Sequence, residues 1–142
     1  MPNHFHFLIR QNMNYGIPRF LSDATNSYSK YFNTKNQRKG TLFQGVFKGV
    51  HMDDNEQLMH VSRYIHLNPS SSSLCSLEDL SQYPWSSLSC YTKGASDILV
   101  DTTFLSGFFP ASNSYQRFVE DYTDVKRKNI EFEQVLLDRE EV

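Results

Sequence analysis

The alternation of residues 4–10, HFHFLIR, constrains the fold of this chain more than any other feature. Successive side chains of an extended strand point to opposite faces, so His4 and His6 share one face while Phe5 and Phe7 share the other. A strand also needs neighbours, because its backbone N–H and C=O groups are otherwise left without hydrogen bonds. The segment therefore predicts a strand within a sheet.

Helical and extended patterns follow in alternation. Residues 18–33 repeat apolar side chains every three or four positions and begin with Pro18, which suits the first turn of a helix. Residues 33–40, NTKNQRKG, are polar, basic and turn-forming. Residues 41–51, TLFQGVFKGVH, are rich in aromatic and branched side chains with interspersed glycines, which predicts a strand with a bulge.

A second long helix is predicted after the aspartate pair Asp53 and Asp54, either of which can cap it. Glu56 stands three residues after Asp53, the spacing of a capping box. Pro69 limits this helix, because the residue before a proline disfavours the helical conformation. A serine-rich loop is expected to follow over residues 70–83.

The remainder of the chain has helical patterns. The expected helices cover residues 84–91, 101–109 with Asp101 as N-cap, and 112–123, followed by an acidic stretch after Lys126. Together the patterns predict an α+β fold: an antiparallel sheet that carries the histidine strand, packed with helices, plus a helical C-terminal tail.

Composition excludes several classes of protein. No run approaches the 18 apolar residues of a membrane-spanning helix, and residues 1–10 lack the features of a secretory signal. The two cysteines, Cys75 and Cys90, are too few for a disulfide scaffold and are not spaced as a metal knuckle. A cytoplasmic protein without a membrane partner is the expectation.

Charge is distributed unevenly along the chain. Residues 1–51 have a net charge of +6 and residues 52–142 a net charge of −8. A basic half beside an acidic half indicates a surface for an anionic partner, most simply nucleic acid. Charge alone leaves the alternative that these lysines and arginines only form a solvated surface.

Two residue pairs could carry chemistry. On a strand, His4 and His6 would lie about 7 Å apart on one face, close enough to share a metal ion. Tyr64 and Asn68, four residues apart, lie on one face of a helix. Taken alone, the histidine spacing also arises by chance, and Tyr64 and Asn68 could equally be a half-buried aromatic residue and a C-cap.

Five segments in order resemble the single-tyrosine HUH transposases of the IS200-like family, in particular the REP-associated branch. They are MPNHFHFLI (1–9), YFN (31–33), GTLFQGVFKG (40–49), RYIHLNP (63–69) and YPWSSLSCY (83–91). The resemblance makes residues 1–93 the transposase domain and residues 94–142 a helical C-terminal extension.

The resemblance implies a reaction and the residues for it. His4, His6 and Asn68 would bind Mg²⁺ or Mn²⁺, and Tyr64 would be the nucleophile. The family cleaves and rejoins single-stranded DNA, often held as a hairpin, through a 5′-phosphotyrosine intermediate.

The expected DNA-binding residues lie in the basic half. They are Arg10, Lys30, Lys35, Arg38, Lys39, Gln44 and Lys48, of which Gln44 matches a glutamine of the family's strand motif. Tyr28, Tyr31 and Phe47 are candidates for stacking on bases, although all three could equally be core residues, and for Phe47 the core is the expectation. The remaining histidines, His51, His60 and His66, are not expected to bind metal; the first two suit surface or packing positions.

The sequence departs from the family in two places. Members normally have further strands before the histidine segment, so we expect a sheet that is truncated, or completed by a second copy in a homodimer. Val46 stands where the family usually has arginine. Two alternatives therefore stay open: an inactive remnant that binds DNA without catalysis, and a metal-binding or structural module with Tyr64 in its core.

Overall fold

A computed structural model describes residues 4–111 and 113–121. The helices in this part of the chain are α1 (Gly16–Lys35), α2 (Asn55–Ser71), α3 (Leu88–Thr92), α4 (Thr103–Ser106) and α5 (Ser114–Glu120), with a 3₁₀ turn (Leu80–Gln82) before α3. The chain divides into two units. The first unit comprises Met1–His6 and Val50–Val142, and the second unit comprises Phe7–Gly49.

The predicted α+β fold with an antiparallel sheet is wrong, because the described residues contain no β-strand. Residues 4–10 and 41–51 have irregular backbone instead. Alternation identifies side chains that would share a face, but a strand forms only when a neighbour exchanges backbone hydrogen bonds with it. In the second segment Gly45 also has a φ of 68°, which interrupts an extended backbone.

Helix α1 occupies the second unit and extends two residues beyond the predicted range of 18–33 at each end. Pro18 lies in its first turn, as predicted. The helix ends at Lys35. Its C-cap is Asn36, whose backbone N–H donates to the carbonyl of Phe32 at 3.0 Å and whose side chain donates to the same oxygen at 2.8 Å. These bonds satisfy a terminal carbonyl that the helix itself leaves open.

The predicted start of α2 is confirmed, although the capping pair differs. Asp54 is the N-cap, and its carboxylate accepts a hydrogen bond from the backbone N–H of Gln57 at 2.7 Å. The Gln57 side chain in turn accepts from the backbone N–H of Asp53 at 2.9 Å. The pair is therefore Asp54 with Gln57, rather than Asp53 with Glu56.

Helix α2 continues past Pro69 and ends at Ser71, so the predicted limit at the proline is wrong. Proline lacks an N–H donor, but its fixed φ is compatible with a helix. Pro69 therefore removes only one backbone hydrogen bond near the C-terminus of α2. The last turn is closed by bonds from Ser72 N–H to the Asn68 carbonyl and from Leu74 N–H to the Pro69 carbonyl, both 2.9 Å. Asn68 is thus an interior residue of the helix.

The helices predicted after residue 83 exist but are shorter. Their observed counterparts are α3, α4 and α5. Thr102, rather than Asp101, is the residue before α4, although the Asp101 carboxylate accepts from the backbone N–H of Thr103 at 3.0 Å. The acidic stretch after Lys126 lies outside the described residues.

A core joins the C-terminal helices to α2. Its buried residues are Leu67, Leu80, Leu88, Tyr115 and Val119, with Cys75, Tyr91, Phe109 and Phe118 packed around them. Helix α5, from the predicted extension, therefore packs with the helix that carries Tyr64; the predicted division between residues 93 and 94 stays a prediction. Of the helices described, none has the length and apolar character needed to cross a membrane.

Candidate active site

His4 and His6 lie side by side in the first unit although no strand holds them. Their ring centroids are 5.0 Å apart and their planes are almost perpendicular, at 84°. Both residues are half-buried. The two rings therefore lie close together, although the strand on which the sequence placed them is absent from the described residues.

Tyr64 meets this pair from α2. The centroid of its ring lies 5.8 Å from that of His6, and the two planes meet at 74°, an edge-to-face contact. Tyr64 is itself half-buried. The structure therefore brings together three of the four residues predicted for the site, all within one unit.

The imidazoles present shielded nitrogen atoms. The Nε2 atoms of His4 and His6 are buried, and neither forms a hydrogen bond with the described residues, although both rings have other contacts. Neutral imidazole nitrogen is the commonest protein ligand for metal ions. Two such atoms on adjoining rings have the chemistry of metal ligands.

Asn68 is buried on the same side of α2 as Tyr64, one turn later, with 8% of its surface exposed. Its Oδ1 accepts a hydrogen bond from the Ser72 hydroxyl at 3.2 Å, and an amide oxygen has a second lone pair. The described residues hold no group of three or more His, Cys, Asp or Glu side chains arranged for a metal. A third protein ligand would thus be of another type, such as this carboxamide.

The opposite face of α2 carries a polar network. His66 is buried, with Nδ1 2.7 Å from the Tyr115 hydroxyl and Nε2 2.8 Å from the Ser87 hydroxyl. The Tyr115 hydroxyl also donates to the Ser62 hydroxyl at 3.2 Å. Both ring nitrogens of His66 are thus engaged by hydroxyl groups in the core. The sequence analysis did not predict this network. Its signal in the sequence is the pair Ser62 and His66, two polar residues one turn apart between Val61 and Leu67.

Burial controls the ionisation of this network. Desolvation lowers the pKa of His66 from its ordinary value of 6.5 to about 4, so the ring is neutral at pH 7. Desolvation also raises the pKa of the Tyr115 hydroxyl, and the hydrogen bond with Ser62 opposes this shift. A neutral imidazole has one donor and one acceptor nitrogen, which matches its two hydroxyl partners.

The free energy of unfolding is expected to fall as the pH is lowered from about 6.5 to about 4. In that range the unfolded chain binds a proton at His66 that the folded chain excludes. The contribution of neutral His66 to the free energy of unfolding is therefore fully present above pH 6.5. The loss approaches about 3 kcal/mol when the full shift is counted. Urea unfolding at pH 7.5 and pH 5 should show about 2 kcal/mol of this loss, because pH 5 lies between the two pKa values. The His66→Gln variant should show a flatter pH dependence; an equal slope in the two proteins would contradict the assignment.

The other two histidines have packing and surface positions, as predicted. His60 is half-buried, with Nδ1 2.9 Å from a guanidinium nitrogen of Arg63 and Nε2 3.6 Å from the Glu56 carboxylate. Arg63, which sequence reasoning missed, is 5% exposed and lies 4.5 Å above the ring of Phe118. The buried guanidinium therefore contributes a cation–π contact between α2 and α5. His51 is exposed.

The residues predicted to bind DNA all lie in the second unit. Each is exposed: Arg10, Lys30, Lys35, Arg38, Lys39, Gln44 and Lys48. On α1 the Lys35 ammonium donates to the Tyr31 hydroxyl at 3.2 Å and lies 5.5 Å from the centre of that ring. A shallow recess there is lined by Ser27, Lys30, Tyr31, Thr34 and Lys35.

Three aromatic side chains of the second unit are too exposed to be core residues. Tyr28 is 51% exposed and Tyr31 is 57% exposed, with ring centroids 6.4 Å apart. Phe47, predicted in the core, is 47% exposed, so that prediction is wrong. Residues 41–51, which include Phe47, form no strand and so do not place this side chain against a sheet.

Comparison with known families identifies the part of the chain that contains the site. The family described as Transposase IS200 like matches residues 1–68. This segment is similar to the IS200-like transposases. The match spans slightly less than half of the 142 residues and includes His4, His6, Tyr64 and Asn68.

The similarity to IS200-like transposases supports a role in DNA transposition and recombination, with DNA as the partner. The matched segment also includes the seven candidate DNA-binding residues of the second unit. No curated protein and no solved structure matches the chain significantly.

Proposed function

We propose that the protein is a metal-dependent transposase that cleaves and rejoins single-stranded DNA with Tyr64 as nucleophile. The observation that carries this proposal is the convergence of His4, His6 and Tyr64 in the first unit, with ring centroids 5.0 Å and 5.8 Å apart. A phenol beside two imidazoles combines a nucleophile with ligands for a cation at one place. The family match adds that the partner is DNA.

The residues present fit Mg²⁺ or Mn²⁺. His4 and His6 offer buried imidazole nitrogens, and Asn68 offers an amide oxygen on the Tyr64 face of α2. Such a partial set suits cations that keep several water molecules and bind phosphate oxygens of the substrate. When bound, the cation would polarise the scissile phosphate and stabilise charge on the leaving oxygen.

Tyr64 would attack phosphorus through its phenol oxygen. The O–P bond to Tyr64 forms, the bond from phosphorus to the 3′ oxygen breaks, and the electron pair remains on that oxygen. The leaving oxygen becomes a 3′ hydroxyl, and the phenol proton passes to solvent. A 3′ hydroxyl of another strand then reverses the exchange and releases the phenol, so no ATP is required.

The residues around Tyr64 would contribute to the reaction by orienting its phenol ring. An ordinary tyrosine has a pKa near 10, so few phenols are ionised at neutral pH and placement becomes important. The edge-to-face contact with His6 restricts the ring of Tyr64, and helix α2 fixes its backbone. Both constraints reduce the freedom that would otherwise be lost at the transition state.

The second unit would supply DNA affinity. Residues 7–49 carry seven basic side chains and one acidic side chain, Asp23. Exposed Tyr28 and Tyr31 could stack on unpaired bases, and neighbouring lysines could bind phosphates. We infer that single-stranded or hairpin DNA is the substrate and that its binding weakens as salt is raised.

A second candidate function is DNA binding without catalysis. The observation that favours it is that the described residues contain no sheet to support the segment with His4 and His6. An active site held only by irregular backbone would lose the placement that strand transfer requires.

Covalent transfer of a DNA label separates the two candidates. The full chain is incubated in Mg²⁺ or Mn²⁺ with hairpin-bearing single strands whose flanking bases are randomised. A 3′ label should become attached to the protein and survive boiling in detergent, whereas a 5′ label should leave with the free 3′ hydroxyl. EDTA should abolish the transfer. Salt-sensitive binding without any adduct would overturn the proposed cleavage and support the DNA-binding remnant.

A further inference from the structure

Helix α2 presents two different polar faces. Tyr64 and Asn68 lie one turn apart on one face, and Ser62 and His66 lie one turn apart on another. Residues of an α-helix advance by about 100° each, so the two pairs lie on roughly opposite sides. Any rotation of α2 about its axis therefore moves both pairs together.

One hydroxyl group of α5, that of Tyr115, contacts both polar residues of the face with Ser62 and His66. The Tyr115 hydroxyl lies 2.7 Å from His66 Nδ1 and donates to the Ser62 hydroxyl at 3.2 Å. All three side chains are buried, with 5%, 4% and 2% of their surface exposed for Tyr115, His66 and Ser62. Ser87 binds the other nitrogen of His66 at 2.8 Å.

We propose that Tyr115 is a positioning residue that sets the rotation of α2 and thereby the direction of Tyr64. The consequence for catalysis rests on the proposed function, whereas the effect on the Tyr64 side chain does not. In this proposal Tyr115 does not contact DNA or Tyr64. It acts through its hydrogen bonds with Ser62 and His66.

Tyr115 can set the rotation of α2 because its one hydroxyl contacts two successive turns of that helix, at Ser62 and at His66. A rotation of α2 would break both bonds at once and leave buried polar atoms unsatisfied, which proteins avoid. Side-chain atoms lie about 5 Å from a helix axis, so a rotation of roughly 10° moves them by about 1 Å. A misplacement of that size can lower the rate of a reaction by about 100-fold.

The Tyr115→Phe variant removes the hydroxyl and retains the ring, which packs with Tyr91 and Phe109 at centroid distances of 5.1 Å and 5.0 Å. Tyr91→Phe is the matched control, because the Tyr91 hydroxyl donates to the Asp101 carbonyl and not to α2. Both variants lose one tyrosine hydroxyl from the same aromatic cluster. Only Tyr115→Phe is expected to disturb Tyr64.

Two measurements test the proposal. The rate of adduct formation at saturating DNA should fall about 10- to 100-fold in Tyr115→Phe, with the Kd for DNA within about 2-fold of wild type. Independently of activity, chains labelled with ¹³C at the tyrosine ε carbons should show a shifted or split Tyr64 signal, assigned by its loss in Tyr64→Phe. Tyr91→Phe should leave both readouts unchanged.

The outcomes are distinguishable. An unchanged Tyr64 signal in a folded Tyr115→Phe variant overturns the proposal. A wild-type chain that forms no adduct overturns the proposed cleavage, and a Tyr64 signal that still responds to Tyr115→Phe supports the positioning. If Tyr115→Phe does not fold, Ser62→Ala carries the test: it should move the Tyr64 signal in wild-type background, and an unmoved signal overturns the proposal.

Discussion

The Tyr64→Phe variant is expected to form no detectable covalent adduct with DNA, a loss of about 1,000-fold or more in rate. Phenylalanine lacks the oxygen that would bond to phosphorus, and no neighbouring group can replace a covalent nucleophile by positioning alone. The ring itself remains, so the edge-to-face contact with His6 can persist. We therefore expect the affinity for single-stranded DNA and the melting temperature to change little.

The measurement is transfer of the 3′ label to protein, beside a titration of DNA affinity by fluorescence anisotropy. Tyr83→Phe is the control, because Tyr83 is another half-buried tyrosine of the first unit. An adduct that persists in Tyr64→Phe would assign the nucleophile elsewhere. A variant that changes only the melting temperature, in a chain that forms no adduct, would make Tyr64 a structural residue of the core.

The helices around the site could be predicted from sequence because their signals are local. The aspartate pair before α2 and the three- and four-residue periodicity of α1 act within single turns, and both helices lie where those patterns place them. The strands could not be predicted in the same way. Alternation in residues 4–10 states which side chains share a face, whereas a sheet depends on a partner segment that alternation does not supply.

The same distinction applies to the site. The proximity of His4 to His6 follows from a separation of two residues, and the family motifs suggested Tyr64 as their neighbour. The contact between His66 and Tyr115 joins residues 49 positions apart, and no local pattern indicates which tyrosine a buried histidine will meet. Sequence reasoning therefore excluded His66 as a metal ligand without finding what it does.

Replacement of both imidazoles, His4→Ala with His6→Ala, is expected to abolish specific Mn²⁺ binding and to slow adduct formation by about 100-fold or more. The two buried Nε2 atoms are the nitrogen ligands proposed for the cation, and the carboxamide of Asn68 alone offers a single weak oxygen. DNA affinity should change little, because the candidate DNA-binding cations belong to the second unit. Each single variant should retain part of the metal affinity.

Electron paramagnetic resonance of free Mn²⁺ measures the binding without reference to activity, and label transfer measures the reaction. His51→Ala is the matched control, because His51 is exposed and lies outside the proposed ligand set. Full Mn²⁺ affinity in the double variant would remove the imidazoles from the metal site. Normal label transfer in that variant would show that Tyr64 acts without a cation held by these residues, and that another group activates the phosphate or the phenol.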